Sequence, residues 1–465
     1  MFEVFALAAL GLCCFFAMQR WWRGVWLCIA VGFVQDPIRK LIPGEPVYMV
    51  MLCAVVFAAI VVGLLLRRYR FNVLTIPGWS GSVSWALLTL LFLVSVQLMV
   101  AYINSHSLLI VALGLLTYFV PVVAILAGFY FACKVGERGI ILFMIYYSVF
   151  CVAFTSGIYL EYLGVDWQVL GEVGTGIVIY DVGTVLKGHS GFFRSSEIAA
   201  WHVVLGSSFL MILATRTRSH TLRILCVLTI AFLIAGGILT GRRKLIVSAV
   251  IFLTSYWFLI TIYYQRSLRV AGVVILLGMT ALWFTAKQYY VADQQEDVYD
   301  LYVERASGVF ADITERGRIL GIGTVVSAVK KYGLIGLGAG TANQGARLTN
   351  GGGFKSMYEA EGGLGRIVIE LGLIGLLVSL WLILVFMLYF WRVVQYIAGK
   401  GGSYGYICYG LIGILLANLA HFTVASQAFS DPMILILLGL FAGMIASGPV
   451  LVNRIGVVFE NEYEH

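Results

Sequence analysis

Three consecutive cations, Arg242, Arg243 and Lys244, follow Thr240-Gly241 in a short connection between two apolar runs. Neighbouring guanidinium groups bind phosphate oxygens two at a time, so this cluster predicts a site for phosphate or pyrophosphate. The plainer interpretation is contact with anionic lipid headgroups, or snorkelling of the side chains from the next helix. If the anion site exists, other basic residues are expected to complete it: Arg318, with Lys187 or Arg194.

Glu361 precedes an apolar run and lies eleven residues before Gly372, about three helical turns, so we expect both on one helix face. A carboxylate at the mouth of a membrane helix is placed to act as a general base. The alternative is a solvated acid of the first helical turn, favoured by the helix dipole. Glu370 follows Arg366 by four residues, and this spacing predicts a local ion pair.

The histidines offer one candidate for substrate contact. His189 lies between Lys187 and Arg194, whereas His202 and His421 lie within apolar runs and are expected to bond to neighbouring side chains. No histidine has metal-ligand spacing with another histidine, a cysteine or an acid, so the sequence predicts neither a metal nor a cofactor. A glycine run at 336, 338 and 340 has the spacing of a dinucleotide fingerprint but joins no strand to a helix.

The elements that must position these residues are membrane helices. The chain has 465 residues, of which 61% are hydrophobic and 12% charged, with a mean hydropathy of +0.95. Soluble domains carry about twice that charged fraction. Apolar runs of about 20 residues, the length that crosses a bilayer, recur throughout. The net charge of +8 is spread along the loops, which excludes a nucleic-acid-binding patch, and the eight cysteines fall in apolar runs as small hydrophobic residues.

The fold class predicted is all-α, with a single polytopic membrane domain over residues 1–465. The first apolar run lacks a basic start and a cleavage site, so we expect it to be a retained helix. Six of the seven prolines are expected in connections or at span ends. The count of spans is thirteen, give or take one: 2–19, 22–35, 47–66, 83–103, 108–133, 139–160, 197–214, 222–239, 245–264, 269–285, 366–391, 404–424 and 431–448.

Basic residues set the expected orientation of these helices. One set of loops carries fifteen lysines and arginines and the opposite short loops carry seven, so the first set is expected in the cytoplasm. The segments 161–196 and 286–363 then lie outside. Apolar residues recur at helical spacing in the longer segment, and this predicts a helical cap over the membrane domain rather than a linker. The second such series is Ile319, Ile322, Val326 and Val329.

Taken in order, four stretches resemble the O-antigen ligase and O-antigen polymerase superfamily, which are GT-C-type membrane glycosyltransferases. Lys187-Gly-His-Ser-Gly-Phe-Phe-Arg194 resembles an outer-loop pattern of the family, and Leu239-Thr-Gly-Arg-Arg243 resembles its Leu-Thr-x-Ser-Arg turn. The other two are Arg318 with the helix before Gly336-Leu-Gly-Ala-Gly340, and Glu361 through Gly375. Together they cover about the C-terminal two thirds of the chain.

The resemblance implies roles for these residues. Arg243 is the equivalent of the family's essential arginine, and Glu361 stands where ligases carry a histidine; Glu197 stands where many members carry asparagine. The glutamate at 361 in place of the histidine favours a polymerase over a ligase that transfers glycan to lipid A-core. The implied partners are glycan donor and acceptor on undecaprenyl pyrophosphate, with a chain-length regulator and a flippase. The implied location is the bacterial inner membrane, with the site at the periplasmic face under the cap.

The implied reaction is inverting glycosyl transfer that lengthens an O-antigen or exopolysaccharide from lipid-linked repeat units. Arg242, Lys187, Arg194, Arg318, Lys244 and His189 would bind substrate, while Arg243 and Glu361 would be catalytic. A different class of protein, a flippase or other transporter of lipid-linked oligosaccharide, also needs many spans and a cationic cavity. Transporters usually show internal repeats and interrupted helices at mid-depth, and the sequence shows no repeat.

Overall fold

A computed structural model of the chain describes residues 2–69, 79, 81–173, 178–181, 184–263, 322–343, 346, 362–400 and 403–453. These residues form a helical bundle with one short hairpin. In chain order the helices are α1 Phe2–Gln19, α2 Trp21–Leu41, α3 Leu52–Leu66, α4 Gly81–Ser105, α5 Leu108–Tyr162, α6 Ser196–Arg216, α7 His220–Ile238, α8 Lys244–Tyr263, α9 Thr324–Tyr332, α10 Gly363–Lys400, α11 Tyr404–Val424 and α12 Pro432–Ala446.

The helical, membrane-spanning character predicted from the sequence is confirmed. Eight helical stretches among the described residues are long and apolar enough to cross a membrane, and the stretches Glu3–Gln19 and Pro432–Ala446 are shorter apolar helices. The strands β1 (Val178–Asp181) and β2 (Thr184–Lys187) form an antiparallel hairpin inside the predicted outer loop 161–196, an element that the all-α prediction omitted. The predicted span 269–285 and most of the predicted cap lie outside the described residues.

Helix α5 contains 55 residues and is interrupted at Gly136, whose φ of 66° and ψ of −172° are not helical. Its halves correspond to the predicted spans 108–133 and 139–160. Glycine is required here by the positive φ alone, because an added Cβ would meet no atom within 4 Å. The helix is therefore broken at a single residue, where two spans and a loop were predicted.

Helix α2 is longer than the predicted span 22–35 because it continues through Asp36 and Pro37 to Leu41. The prediction that Pro37 lies in a connection was wrong. The polar residues at this end of α2 are buried but bonded: the Lys40 ammonium group donates to the carbonyl oxygens of Gly191 and Phe193 at 2.8 and 2.6 Å. Because the loop before α6 supplies these acceptors, charged residues can remain within the helix.

Interhelical contacts identify the two ends of the bundle. The start of α6 meets the last turns of α11, where the Trp201 indole donates to the Asn418 side-chain oxygen at 2.6 Å. The last residue of α6, Arg216, pairs with Glu137 in the middle of α5, and Ser403 just before α11 also donates to Glu137. We call the end at which α6, α8, α10 and α12 begin and α11 ends the charged end. The sequence predicts that this end faces outward.

Helix α9 and the glycine run that follows it pack against α4, α5 and α10. The predicted apolar series is confirmed only in part: Val329 packs inward together with Val325 and Ala328, whereas Ile322 and Val326 are 70% and 48% exposed. Glycines 336, 338 and 340 all have positive φ, and a Cβ at 338 or 340 would collide with the backbone of α4 or α5. The glycine run therefore serves close packing.

The start of α10 departs most from the sequence prediction. Gly372 has a φ of 73° and a ψ of −175°, so it separates a short segment, 363–371, from the long helix 373–400. The prediction of one continuous span over 366–391 was therefore wrong. A Cβ at Gly372 would collide with the Leu334 carbonyl. The glycine-rich segment packs so closely here that the break requires a glycine. Glu361 itself lies outside the described residues.

We expect Gly372→Ala to lower the free energy of unfolding by about 1–3 kcal/mol, because alanine would be strained at this φ and would also clash. The measurement is the thermal unfolding of purified protein in detergent. Gly399→Ala in the same helix is the matched control, since an added Cβ there meets nothing within 4 Å. Equal stability of the two variants would contradict the packing role of Gly372.

Candidate functional site

Two loops that the sequence analysis singled out lie side by side at the charged end. The backbone N–H of His189 donates to the Leu239 carbonyl at 3.3 Å. A Cβ at Gly188 would lie 3.1 Å from the Thr240 carbonyl oxygen and 2.8 Å from the Ser196 hydroxyl. The loop 187–194, the turn 239–243 and the start of α6 therefore form one continuous surface, although about 50 residues separate the two loops in sequence.

The cationic turn is closed by local bonds that fix where its side chains project. The Thr240 hydroxyl donates to the Gly237 carbonyl at 2.6 Å, Gly241 adopts a φ of 64°, and α8 begins at Lys244. The Arg242 guanidinium donates to the Ser196 hydroxyl through Nε at 3.0 Å and a terminal nitrogen at 2.9 Å. Lys244 pairs with Glu197 at 3.6 Å. All three cations of the turn are half-buried.

A narrow cleft lies directly beside this turn, between α6, α8 and α11. Arg242, Lys244 and Glu197 line its charged part. The remaining walls are mostly apolar side chains of the three helices, with a few polar groups between them. A pocket with apolar walls and a few convergent polar groups is the usual form of a small-molecule or lipid-headgroup site. The cations therefore line a cleft rather than a flat surface.

Lys187 and His189 converge on Glu161 at the end of α5. The Lys187 ammonium lies 3.2 Å and the His189 Nδ1 3.5 Å from the same carboxylate oxygen. The other oxygen of Glu161 accepts from the backbone N–H groups of Ser190 and Gly191 at 2.9 and 2.8 Å. The loop is thereby pinned to α5. The Lys187 side chain is still 67% exposed, so it can contact a ligand beside the turn.

Arg194 is directed into the bundle. Its guanidinium lies 2.5 Å from Asp431 and 3.5 Å from Asp36, and both carboxylates are almost completely buried. Burial opposes the charge on Arg194, but Asp431 and Asp36 together raise the pKa of this group above its usual range. Asp431 also accepts from the Ile434 N–H and so caps α12. Arg194 therefore lies between the loop before α6, the end of α2 and the start of α12. It does not belong to the turn 242–244.

A second buried network surrounds the short segment of α10. Arg366 pairs with Glu370 at 3.1 Å, which confirms the predicted ion pair, and both are at most 2% exposed. The Tyr118 hydroxyl donates to the other Glu370 oxygen at 2.6 Å. Arg366 also donates to the Ser430 hydroxyl at 3.0 Å and to Thr117 at 3.4 Å. Every charge in the network has a partner, as buried charges require.

The connection between α11 and α12 joins these two networks. The Ser426 carbonyl and the Ser430 hydroxyl accept from Arg366, and the next residue, Asp431, pairs with Arg194. The Phe429 ring packs edge-on against His421 at a centroid distance of 5.8 Å, so the same connection also borders the cleft. The polar residues of the charged end therefore form one connected layer.

Of the site residues predicted from the sequence, five lie in the surface formed by the two loops: Lys187, His189, Arg242, Arg243 and Lys244. Arg194 is directed to the buried carboxylates, as described above. Arg318 and Glu361 lie outside the described residues.

Several residues of the cleft were not predicted. Glu197 was noted only as a departure from a motif, and Ser248, Asn418 and Trp201 were not considered. His202 and His421 do bond to neighbours as predicted, to Tyr147 and Ser248. The spacing of Asn418 and His421, three residues apart in an apolar helix, places both on one face and was the available signal. Among the described residues, no group of three or more His, Cys, Asp or Glu side chains is arranged to hold a metal.

Comparison with known proteins adds no family or relative. No family model matches the chain, and no curated protein matches it significantly. The functional interpretation therefore depends on the residues and geometry described above.

Proposed function

We propose that this chain is a membrane glycosyltransferase of GT-C type that polymerises glycan repeat units carried on undecaprenyl pyrophosphate. The observation that supports the proposal is that the loop 187–189 and the turn 242–244 lie side by side next to the cleft, at one end of a membrane bundle. The charged end would face the periplasm of a bacterial inner membrane, with the segment 286–363 as its cap. A chain-length regulator and a flippase would be its partners.

The chemistry follows from charge development on the leaving group. The bond between the anomeric carbon and the pyrophosphate breaks, and its electron pair passes to the pyrophosphate, while the acceptor hydroxyl forms the new glycosidic bond. Cations already in place bind the growing negative charge more strongly than the ground state and so lower the barrier. Arg243, Arg242 and Lys244 would supply these cations, with Lys187 at the rim. Glu361 would accept the proton of the attacking hydroxyl.

Arg243→Ala is the direct test. We expect it to lower the rate of polymer formation by about 10²–10³-fold, the usual cost of removing one preorganised group that stabilises the developing charge. Glu361→Gln should likewise abolish long-chain glycan. Polymer length is measured by electrophoresis of glycan from cells that express each variant, with the amount of protein in the membrane measured in parallel.

Arg223→Ala is the matched control, because this arginine is exposed in the first turn of α7 at the opposite end of the bundle. It should leave polymer length unchanged. Normal polymer from both Arg243→Ala and Glu361→Gln would refute the assignment of the site. Chemical labelling that places the turn 242–244 in the cytoplasm would refute the whole proposal, because the lipid-linked donor would then be on the wrong side.

The ligase remains the alternative within the same chemistry, and its acceptor would be lipid A-core or another molecule. Purified protein given only lipid-linked repeat units distinguishes the two, since a polymerase lengthens them without a second acceptor. A transporter is favoured by one observation: α10 is interrupted at Gly372, and its buried Arg366–Glu370 pair contacts Thr117, about 14 Å along α5 from its start. In reconstituted vesicles a transporter would move a labelled lipid-linked sugar without lengthening it.

A further inference from the structure

One histidine of the cleft has a ring nitrogen for which the described residues supply no partner. His421, in the last turn of α11, is 8% exposed, and its Nδ1 lies 3.0 Å from the Ser248 hydroxyl on α8. Among the described residues no hydrogen-bond partner lies within reach of its Nε2, which is itself buried. Buried polar atoms in folded proteins nearly always have a partner, and an exception in a cavity is a candidate for bonding to a ligand.

The polar side chains near His421 in the cleft already have hydrogen-bond partners within the protein. The Asn418 side-chain oxygen accepts from the Trp201 indole at 2.6 Å, and its amide donates to the Ile414 carbonyl at 2.9 Å. In the charged part of the cleft, Arg242 bonds to Ser196, and Lys244 pairs with Glu197. Within the part of the chain that the structure describes, His421 Nε2 is therefore a buried nitrogen beside the cleft that has no protein partner.

The position of His421 relative to the cations limits what that molecule is. Ser248, which holds the His421 ring, follows Lys244 by four residues, or about 6 Å along α8. A group bound to His421 is therefore the neighbour of whatever anion the turn binds. The walls around it, from Val204, Leu205, Leu245 and Ile414, are apolar and suit an uncharged group. A hydroxyl both donates and accepts, so it fits either tautomer of the imidazole.

We propose that the cleft binds the first sugar of the lipid-linked donor and that a hydroxyl group of this sugar bonds to His421 Nε2. The inference rests on the proposed function, because the pyrophosphate at the turn is what brings the sugar to the cleft. His421 is then a substrate-binding residue that orients the sugar, and Ser248 is a positioning residue that fixes the ring. The contact with His421 therefore recognises the sugar of the donor and neither its lipid nor its phosphates.

The test is equilibrium binding of full-length protein in phosphatidylcholine nanodiscs to two probes. One probe is undecaprenyl pyrophosphate, and the other is the same lipid carrying a single N-acetylglucosamine. We expect the natural protein to bind the sugar-bearing lipid about tenfold more tightly, the equivalent of about 1.4 kcal/mol. His421→Ala should abolish this preference and leave the affinity for the sugar-free lipid unchanged. His421→Gln should retain part of the preference, because its amide can still bond to a hydroxyl.

His202→Gln is the matched control: His202 is also a buried helix histidine, but it bonds to Tyr147 and does not line the cleft. It should keep the tenfold preference. Arg242→Ala should weaken both probes by the same factor. Equal binding of both probes by the natural protein, or a preference that survives His421→Ala, would overturn the role of His421 alone. Loss of both probes in His421→Ala and His421→Gln would show a structural role and overturn it too. Failure of the natural protein to bind either probe would instead overturn the proposed function.

Discussion

Replacing Arg194 with alanine should lower the free energy of unfolding by about 3–5 kcal/mol, because it removes the cation that is paired with two buried carboxylates. Asp431 and Asp36 are 2% and 3% exposed, and Arg194 is the cation that the structure places between them. Removal of the side chain also breaks the link between the loop before α6, the end of α2 and the start of α12. The measurement is the loss of folded protein in a denaturant titration in detergent micelles.

Two further variants separate charge from packing. Asp431→Asn keeps an N-cap for α12, since asparagine caps as well as aspartate, but removes one of the two charges. Added to Arg194→Ala, it should therefore recover part of the lost stability. Arg216→Ala at the opposite end removes an arginine that is 30% exposed, and it should cost less than Arg194→Ala. If the two arginine variants are equally stable, the buried charges do not account for the role of Arg194.

Arg366→Ala should be comparably destabilising, by about 3–5 kcal/mol, because Glu370 is 0% exposed and would lose its charged partner. The effect should be larger than that of an ordinary ion pair at spacing i, i+4, since Arg366 also bonds to Thr117 and Ser430. Thermal unfolding of the purified protein, followed by circular dichroism, measures it. Local unfolding should begin at the segment 363–371.

The matched variant is the double change Arg366→Met with Glu370→Gln. It removes both charges, keeps similar volumes and leaves an acceptor for the Tyr118 hydroxyl. Replacement of a buried ion pair by neutral groups of similar shape is often tolerated, so the double variant should be more stable than Arg366→Ala. A double variant that is no more stable would mean that the contribution of Arg366 lies in its geometry and not in compensating the Glu370 charge.

The membrane helices could be predicted well because apolar runs of the required length leave few alternatives. The errors fall where tertiary contacts override a local signal. Pro37 and Asp36 indicate a helix end, yet the loop before α6 supplies partners and α2 continues. In the sequence, Gly372 cannot be distinguished from an ordinary helix residue, because the contact with the Leu334 carbonyl exists only in the folded protein. Neither contact is encoded within a few residues of the position that it changes.

The candidate site was predictable in part for the same reason. Clustered cations in a short loop are visible in a sequence, and the turn 242–244 was found in this way. The sequence could not show that Arg194 is directed to Asp36 and Asp431, because its partners lie 158 positions earlier and 237 positions later in the chain. The cleft was not predictable, since Ser248, Asn418 and Trp201 are unremarkable in their own helices and become a wall only when α6, α8 and α11 pack together.

The connection between α11 and α12 makes the stability of the charged end collective. Within six residues it accepts hydrogen bonds from Arg366 through Ser426 and Ser430, pairs with Arg194 through Asp431, and packs against His421 through Phe429. A rearrangement of this connection cannot release one of these contacts without disturbing the others. This end of the bundle should therefore open as one cooperative unit, and slow hydrogen exchange in the first turn of α12 would report on the network around Glu370 as well.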